Sequence, residues 1–572
     1  MTENFYEDNK DIAFHLHHLK LDEITRLKEQ NWTQNKDFPK APANFSQAIN
    51  MYESEIHNIG KISAEKIFPR SSQVDRDNVE LIDGVVHLPQ GTKDNIADLT
   101  NAGLMGVTLP REYGGKNYPA TIYSMMTEIV ARADASLQNL FGLQDIAETI
   151  YRFGNDKQKN RLLPKFARGE VDGAMALTEP DAGSDLQSVQ TTATYDEEKD
   201  QWFLNGKKRF ITNGCAKVVL VLARSEQDSH DGRGLSMFIL EKCPQVTVDA
   251  LEHKMGIHGS PTCELTFHNA PCELVGRRRR GLTRYVMSLM NGARLAISSQ
   301  AVGLAEAALR CTLEYTARRS QFGKQICDII PVNEMLTRMK AQTMAARTLL
   351  YETCKYVDLR DCYEDRINRG IDELGECKLQ KKYSAIADAL TPLTKYFNTE
   401  TCNQVCYDAI QCHGGKGFMK DHLAERYYRD ARITNIYEGT SQMQVVAAIL
   451  GVKKRILTPL FDELEAIDYP GKLAELSEQI STARKRSEEA LAFAEETFST
   501  EEFELMARHI VRMHALSFIS ALLLRDANAD SSRLCLVERF LNDAIPEINM
   551  HYEILKKGEN GILTNRQSLM AL

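Results

Sequence analysis

The chain contains no apolar run approaching the roughly 20 residues that a bilayer-spanning helix requires, so no membrane span is expected. Its first residues, Met1 to Asp8, are acidic. They lack both the basic start and apolar middle of a secretory signal and the Arg-rich character of a transit peptide. A cytoplasmic location is the expectation. Thirteen cysteines, an odd number, are scattered without regular spacing, which speaks against a disulfide framework and for free thiols in a reducing compartment. Cys402 and Cys406 stand one helical turn apart, with Cys412 and His413 following, but no second paired cluster completes a ligand set, and no metal is expected. A basic excess is also missing. The formal charge is −9, and from Ile456 onward 20 Asp and Glu face 12 Lys and Arg. Such a segment is a poor surface for nucleic acid or anionic lipid. There is no internal repeat and no Gly-rich dinucleotide fingerprint after a strand. A Rossmann-type dinucleotide site is therefore not expected.

What is present is length and a change of period. A chain of 572 residues is too long for one hydrophobic core. Residues 1–45 read as a polar N-terminal extension. From 46 to 168 helical spacing dominates, as in Phe45, Ile49, Tyr52, Ile56 and Ile59, and again in Ile122, Met125, Ile129 and Ala133. From 169 to 280 the signal turns to strand, with Val218–Ala223 and Ser236–Leu240 short and rich in β-formers. Asn205-Gly206 between Trp202–Leu204 and Arg209–Ile211 predicts a hairpin turn, because both residues tolerate positive φ. From 281 to 455 long helices return, with Leu336, Met339, Ala346 and Leu350 on one face. From 456 to 572 a further helical domain follows, in which Ser499 or Thr500 caps a helix carrying Phe503, Met506, Ile510, Met513 and Ile519.

The run Tyr437-Glu-Gly-Thr-Ser-Gln442 places one carboxylate before a glycine and three hydrogen-bonding side chains. Glu438 is suited to take a proton from a carbon acid, and Thr440, Ser441 and Gln442 to hold a cofactor beside it. Upstream lie Leu177-Thr-Glu-Pro-Asp-Ala-Gly-Ser-Asp185, Gly206-Lys-Lys-Arg-Phe-Ile-Thr-Asn-Gly214, Tyr315-Thr-Ala-Arg-Arg-Ser-Gln-Phe-Gly323, Gln411-Cys-His-Gly-Gly415 and Arg429-Asp-Ala-Arg432. In this order the stretches resemble the acyl-CoA dehydrogenase family from about residue 50 to about residue 455.

The resemblance implies a mainly α fold with a central β-domain: an α-helical domain, a β-barrel-like domain, a four-helix bundle and, here, an extra C-terminal helical domain. It implies FAD as cofactor and oxidation of an acyl-CoA thioester to a trans-2-enoyl-CoA. Glu438 is the implied α-proton acceptor, with the β-hydride passing to flavin N5. That chemistry calls for a desolvated carboxylate, a flavin over Cβ and donors for the thioester oxygen. A subset of the family carries its base one residue before an arginine on another helix. Here that arginine is Arg294 and the residue before it is Ala293, which cannot accept a proton. The family pattern assigns the cofactor to Met175, Leu177, Thr178, Gly183, Ser184, Phe210, Ile211, Thr212, Arg319, Gln321, Phe322, Gln411, Gly414, Gly415, Thr440, Ser441 and Gln442. It assigns substrate to Ser184, Asn291, Arg294 and Gly439. Three positions depart from the pattern: Phe210 stands where tryptophan is common, Ile330 where glutamine is, and Asn291 where aspartate is. The flanks look like the larger bacterial members, including relatives acting on methylthiopropanoyl-CoA. Implied partners are acyl-CoA, an electron-transfer flavoprotein and a second copy or more of the chain, as homodimer or homotetramer. A flavin oxidase or nitroalkane-type relative stays open on the same fold, as does a flavin-binding stress or DNA-associated protein. The latter wants a basic C-terminal domain.

Overall fold

The computed structural model describes residues 3–372, 375–558 and 561–571 and divides into two units, Met1–Leu304 and Ala305–Leu572. The fold is mainly helical around a central β-domain, with extra helices after the core.

In the first unit, β1 (Glu80–Ile82) and β2 (Val85–His87) form a small hairpin. Seven further strands build one sheet: β3 (Gly173–Ala176), β4 (Thr192–Asp196), β5 (Gln201–Thr212), β6 (Val218–Arg224), β7 (Leu235–Glu241), β8 (Val246–Leu251) and β9 (Thr262–Leu274). The order is β3-β6-β4-β5-β9-β7, with β8 on β9 and an added β6–β7 pairing that closes the sheet on itself. Strand β6 explains why its sequence is apolar without alternation. Val219, Val221 and Ala223 face the interior beside Phe238, Leu240 and Leu265. Val218, Leu220 and Leu222 face outward beneath Ile146, Ile150, Leu162 and Phe166, which lie on the helices Asp145–Phe153 and Asp156–Ala167. A strand covered on both faces reads as a continuous hydrophobic run.

The helical layer of this unit includes α1 (Phe45–Ile62) and α2 (Ala120–Ala133). Ile49, Tyr52, Ile56 and Ile59 are buried as their spacing predicts, whereas Phe45 is exposed, because it is the first residue after the Asn44 N-cap. Residues 10–28 hold two short helices, Lys10–His18 and Asp22–Lys28. The buried Glu29 just beyond them pairs with Arg111 at 2.8 Å. Helix α3 (Met287–Arg318) begins in this unit. It lies so close to α2 that a Cβ on Gly303 would come within 2.4 Å of the Glu128 carbonyl.

The expected Asn205-Gly206 hairpin is not formed. β5 runs unbroken through both residues and pairs with β9, with a register shift between Leu204 and Asn205. Gly206 has φ +139 and sits so near Thr191 that a Cβ would meet its Cα at 2.8 Å. The dipeptide's tolerance of positive φ is used for an irregularity within a strand rather than a reversal.

In the second unit, β10 (Ser320–Gln321) and β11 (Lys324–Gln325) make a two-residue hairpin whose tip, Phe322-Gly323, has both φ values positive, as a type I′ turn requires. Two long helices, α4 (Ile330–Asn368) and α5 (Glu376–His413), pack on each other. Leu336, Met339, Ala346 and Leu350 are all buried, as expected. α6 (Leu423–Thr434) and α7 (Ser441–Lys453) pack on α5. The tail adds α8 (Lys472–Thr497), α9 (Thr500–Ala529) and α10 (Leu534–Lys557). Ser499 caps α9 through a reciprocal box with Glu502. α9 packs against α7 and α4 as well as against its neighbours in the tail.

Candidate functional site

Each unit holds part of the predicted site, and each part is organised by a buried lysine. In the first unit, Met175 lies on β3 and Leu177 and Thr178 follow it directly. Arg209 of β5 donates its backbone N–H to the Thr178 carbonyl at 2.9 Å, which joins this segment to Phe210, Ile211 and Thr212. The clamp is Lys208, fully buried, whose ammonium donates to the Leu177 carbonyl and to Glu179 Oε1, both at 2.8 Å. Glu179 also accepts from the backbone N–H of Gln190 at 2.7 Å and of Thr191 at 2.9 Å. Burial pushes Lys208 down to about 8, against the pull of the Glu179 charge. Burial pushes Glu179 up, but the Lys208 charge and the surrounding hydrogen bonds outweigh it and leave the carboxyl below its ordinary value.

Phe210 owes its position to a bulge. Lys208 pairs with Leu265 and Ile211 with Cys263, so Arg209 and Phe210 together oppose the one residue Glu264. Phe210 takes φ +61 and is 53% exposed, while Ile211 on the next position is buried. A bulge re-aims a side chain in this way. Gly183 and Ser184 lie exposed in the turn after Glu179. Asn291 and Arg294 share a face of α3, where Arg294 Nη1 donates to Asn291 Oδ1 at 3.1 Å.

In the second unit, Glu438 and Gly439 both have positive φ, +55 and +88. For a glutamate that is a strained conformation, which persists only where its surroundings impose it. Here they do. The fully buried Lys395 of α5 donates to the Tyr437 carbonyl at 2.9 Å and to the Gly439 carbonyl at 2.7 Å. The equally buried Gln444 donates its amide to the carbonyls of Glu438 at 3.2 Å and Gly439 at 2.9 Å. Three successive carbonyls are thus held by two side chains. Thr440 caps α7 by accepting from the Met443 N–H. Ser441 donates its hydroxyl to Glu400 of α5, which also accepts from Asn435 at 3.0 Å. Gln442 is exposed.

Gln411, Gly414 and Gly415 lie exposed at the C-terminal end of α5, and a Cβ on either glycine would meet nothing within 4 Å. Arg319 and Gln321 are exposed beside the β10–β11 hairpin, and Phe322 at its tip is 93% exposed. The structure therefore gathers Met175 to Thr178 with Phe210 to Thr212 in one unit, and Glu438 to Gln442 in the other. Lys208, Lys395, Gln444 and Glu400 were not singled out from sequence. Lys208 could have been, since it shares strand parity with the buried Leu204. Lys395 sits between apolar and small residues of a helix and carries no local signal of its task.

Family models described as the N-terminal, middle and C-terminal domains of acyl-CoA dehydrogenase match residues 58–170, 174–270 and 280–449. An acyl-CoA dehydrogenase of Bacillus subtilis is 36% identical over 60% of this chain and 85% of its own length. The 3-methylmercaptopropionyl-CoA dehydrogenase of Ruegeria pomeroyi is 34% identical over 68% of each chain. An acryloyl-CoA reductase (NADH) of Anaerotignum propionicum is 34% identical over 63% of this chain and 87% of its own length. Among solved structures, an acyl-CoA dehydrogenase from Bacillus anthracis in complex with FAD superposes with a TM-score of 0.76 at 25% identity, covering 92% of this chain and 91% of that one. The fold and the relatives define a flavoprotein oxidoreductase. The chain belongs to the acyl-CoA dehydrogenase family.

Proposed function

We propose that the protein is an FAD-dependent acyl-CoA dehydrogenase that converts an acyl-CoA to its trans-2-enoyl-CoA, with Glu438 as acceptor of the α-proton. The observation that carries this reading is the conformation of Glu438. A carboxylate with positive φ, its flanking carbonyls held by Lys395 and Gln444, is a group whose placement the fold maintains at a cost in backbone strain.

The residues fit a flavin dinucleotide. Phe210 offers a half-exposed aromatic face, Gly414 and Gly415 leave backbone open to close approach, and Arg319 supplies a planar donor suited to pyrophosphate. Met175, Leu177, Thr178, Gly183, Ser184, Ile211, Thr212, Gln321, Phe322, Gln411, Thr440, Ser441 and Gln442 complete the proposed cofactor set, and Ser184, Asn291, Arg294 and Gly439 the substrate set. FAD, when bound, supplies the acceptor for the two electrons that leave with the β-hydrogen. The protein's own part is to bind the thioester, exclude water from the carboxylate and take the proton at a Glu438 oxygen. Lys395 and Gln444 keep the loop from relaxing out of that conformation, and the backbone N–H of Glu438 serves the thioester oxygen. Domains are proposed at 1–45, 46–168, 169–280, 281–455 and 456–572. The proposed electron acceptor is an electron-transfer flavoprotein, the location cytoplasmic, and the assembly a homodimer or homotetramer in which the Phe322 hairpin reaches a second copy.

The decisive experiment is anaerobic mixing of the FAD-loaded protein with a panel of acyl-CoAs while the flavin absorbance is followed. Glu438→Gln is expected to bind FAD and acyl-CoA but to bleach at least about a thousandfold more slowly. Bleaching at the native rate would place the base elsewhere. The relatedness to an acryloyl-CoA reductase (NADH) favours one second reading, operation toward the saturated acyl-CoA. It is tested by supplying an enoyl-CoA with NADH and following acyl-CoA formation.

A further inference from the structure

The loop that carries Glu438 is tied to one short stretch of α5. Lys395 holds the Tyr437 and Gly439 carbonyls. Further along the same helix, Glu400 accepts from the Asn435 side chain at 3.0 Å and from the Ser441 hydroxyl. Asn435, Tyr437, Gly439 and Ser441 are therefore all fastened to residues 395–400. Between the two anchors stands Phe397, which is 1% exposed. Its ring is covered by Arg512 of the tail helix α9, whose guanidinium carbon lies 5.0 Å from the ring centroid. A guanidinium so placed is attracted to the aromatic face, and more strongly away from water. Glu547 of α10 orients Arg512 in turn, accepting from Nε at 2.7 Å and from Nη2 at 3.2 Å. A planar fork held by two bonds keeps little rotational freedom. Helix α9 also packs on α7, the helix that leaves the loop. There the Lys453 ammonium lies 4.3 Å from the centroid of the Phe503 ring.

Taking Glu438 as the proton acceptor, we infer that Arg512 is a positioning residue for it, acting through Phe397 to keep residues 395–400 of α5 in place under the loop. Glu438 has φ +55, a conformation kept only while its surroundings impose it. The surroundings that impose it hang from α5. Lys395 and Glu400 deliver their polar ends to the loop from the helix backbone, so a shift of that backbone moves both ends at once. Arg512 with Glu547 fixes the same stretch from the tail. Without the guanidinium, Phe397 loses the contact that holds its ring against α9. A small displacement of α5 then reaches the carboxylate, and proton transfer is sensitive to small misplacement of the reacting groups. The effect falls on the rate of the chemical step and spares acyl-CoA affinity. Helix α9 lies beyond the stretch that the family models match, so this support comes from the added tail.

The test compares the native FAD-loaded protein with Arg512→Met and Arg512→Lys. Arg512→Met is expected to slow flavin bleaching at saturating acyl-CoA by about tenfold and to change the acyl-CoA dissociation constant by less than about twofold. Arg512→Lys keeps a cation for the ring and is expected to recover most of the rate. Added to Lys395→Met, Arg512→Met is expected to cause little further loss, because both changes release the same loop. A second readout needs no turnover. Amide hydrogen exchange measured by mass spectrometry is expected to be faster in Arg512→Met across residues 435–444 and unchanged across β6. Circular dichroism checks that the variants are folded. Phe397→Leu, which removes the ring and leaves Arg512 paired with Glu547, is expected to speed exchange in the same segment and serves if Arg512→Met does not fold. Native exchange across 435–444 in a folded Arg512→Met or Phe397→Leu protein would overturn the inference. So would a native bleaching rate in Arg512→Met, or a rate loss that multiplies with that of Lys395→Met. If no acyl-CoA bleaches the native flavin, the dehydrogenase reading fails, while hydrogen exchange still decides whether Arg512 fixes the loop.

Discussion

The ammonium of Lys395 lies 2.7 Å from the Gly439 carbonyl and 2.9 Å from the Tyr437 carbonyl, so one buried charge secures the chain on both sides of Glu438. No solvent reaches Lys395, and both carbonyls would lose this charged donor if it were removed. Lys395→Met is therefore expected to lower unfolding stability by about 3 kcal/mol and to cut the rate of flavin bleaching more than the affinity for acyl-CoA. Denaturant titration and stopped-flow absorbance check the two effects. A variant that loses stability while keeping its bleaching rate would show that the loop does not need this anchor for chemistry.

Phe210 is 53% exposed, so truncating it removes little from the core. Phe210→Ala is expected to leave the melting temperature of the apoprotein nearly unchanged while weakening FAD retention by about fivefold, the loss of one aromatic face at about 1 kcal/mol. Dialysis against dilute protein with flavin fluorescence as readout measures this. Equal FAD affinity in the variant would mean that the exposed ring serves some other contact.

In the helical bundle, Arg347 and Glu306 are both fully buried and bond at 2.9 Å, with Arg310 reaching the other Glu306 oxygen at 2.6 Å. Glu306→Ala takes from the buried Arg347 its Glu306 partner and is expected to cost about 3–5 kcal/mol. Replacing both Glu306 and Arg347 by leucine is expected to cost less than the single change, because the two buried charges are then removed together. Urea unfolding of the two variants decides the order.

A pH effect is expected from the tail. His509 Nδ1 shares a proton with His551 Nδ1 at 2.8 Å, and its Nε2 accepts from Arg508 at 3.2 Å. Glu547 faces His551 at 3.5 Å and Arg512 at 2.7 Å. Burial first, then the charges of His551 and Arg508, lowers His509 from 6.5 to about 4. Between those values the unfolded chain binds a proton that the folded chain refuses. This contribution is complete above pH 6.5 and disappears as the pH falls through about 4, a loss of up to about 3 kcal/mol. His509→Gln is expected to flatten the stability profile across that window, as measured by denaturant titration at a series of pH values.

Much of this organisation was legible beforehand because it rests on local chemistry. The spacing of Leu336, Met339, Ala346 and Leu350 marks a buried helical face whatever packs on it, and the Ser499-Thr500 pair announces a helix start, with Ser499 the residue that caps it. The Asn205-Gly206 pair misled for the same reason. Its φ tolerance is local, but whether the chain reverses there or only bulges is decided by β9 lying alongside. Strand parity marks Lys208 as buried, but what Lys208 and Lys395 hold is not legible, because each acts on backbone that is distant in sequence, across 31 residues in one case and 42 and 44 in the other. A sequence motif shows the side chains that face a ligand more readily than those that fix the main chain behind them.

The pairing of Glu352 on α4 with Arg525 on α9, at 2.7 Å, bears on how the chain can be shortened. Thr348, one turn earlier, bonds Asp526 of the same tail helix at 3.1 Å. Trimming the protein back to the stretch it shares with smaller relatives would bare an acidic, hydroxyl-bearing flank on a bundle helix that those relatives need not carry. A minimal version would have to repaint that flank as well as cut the chain.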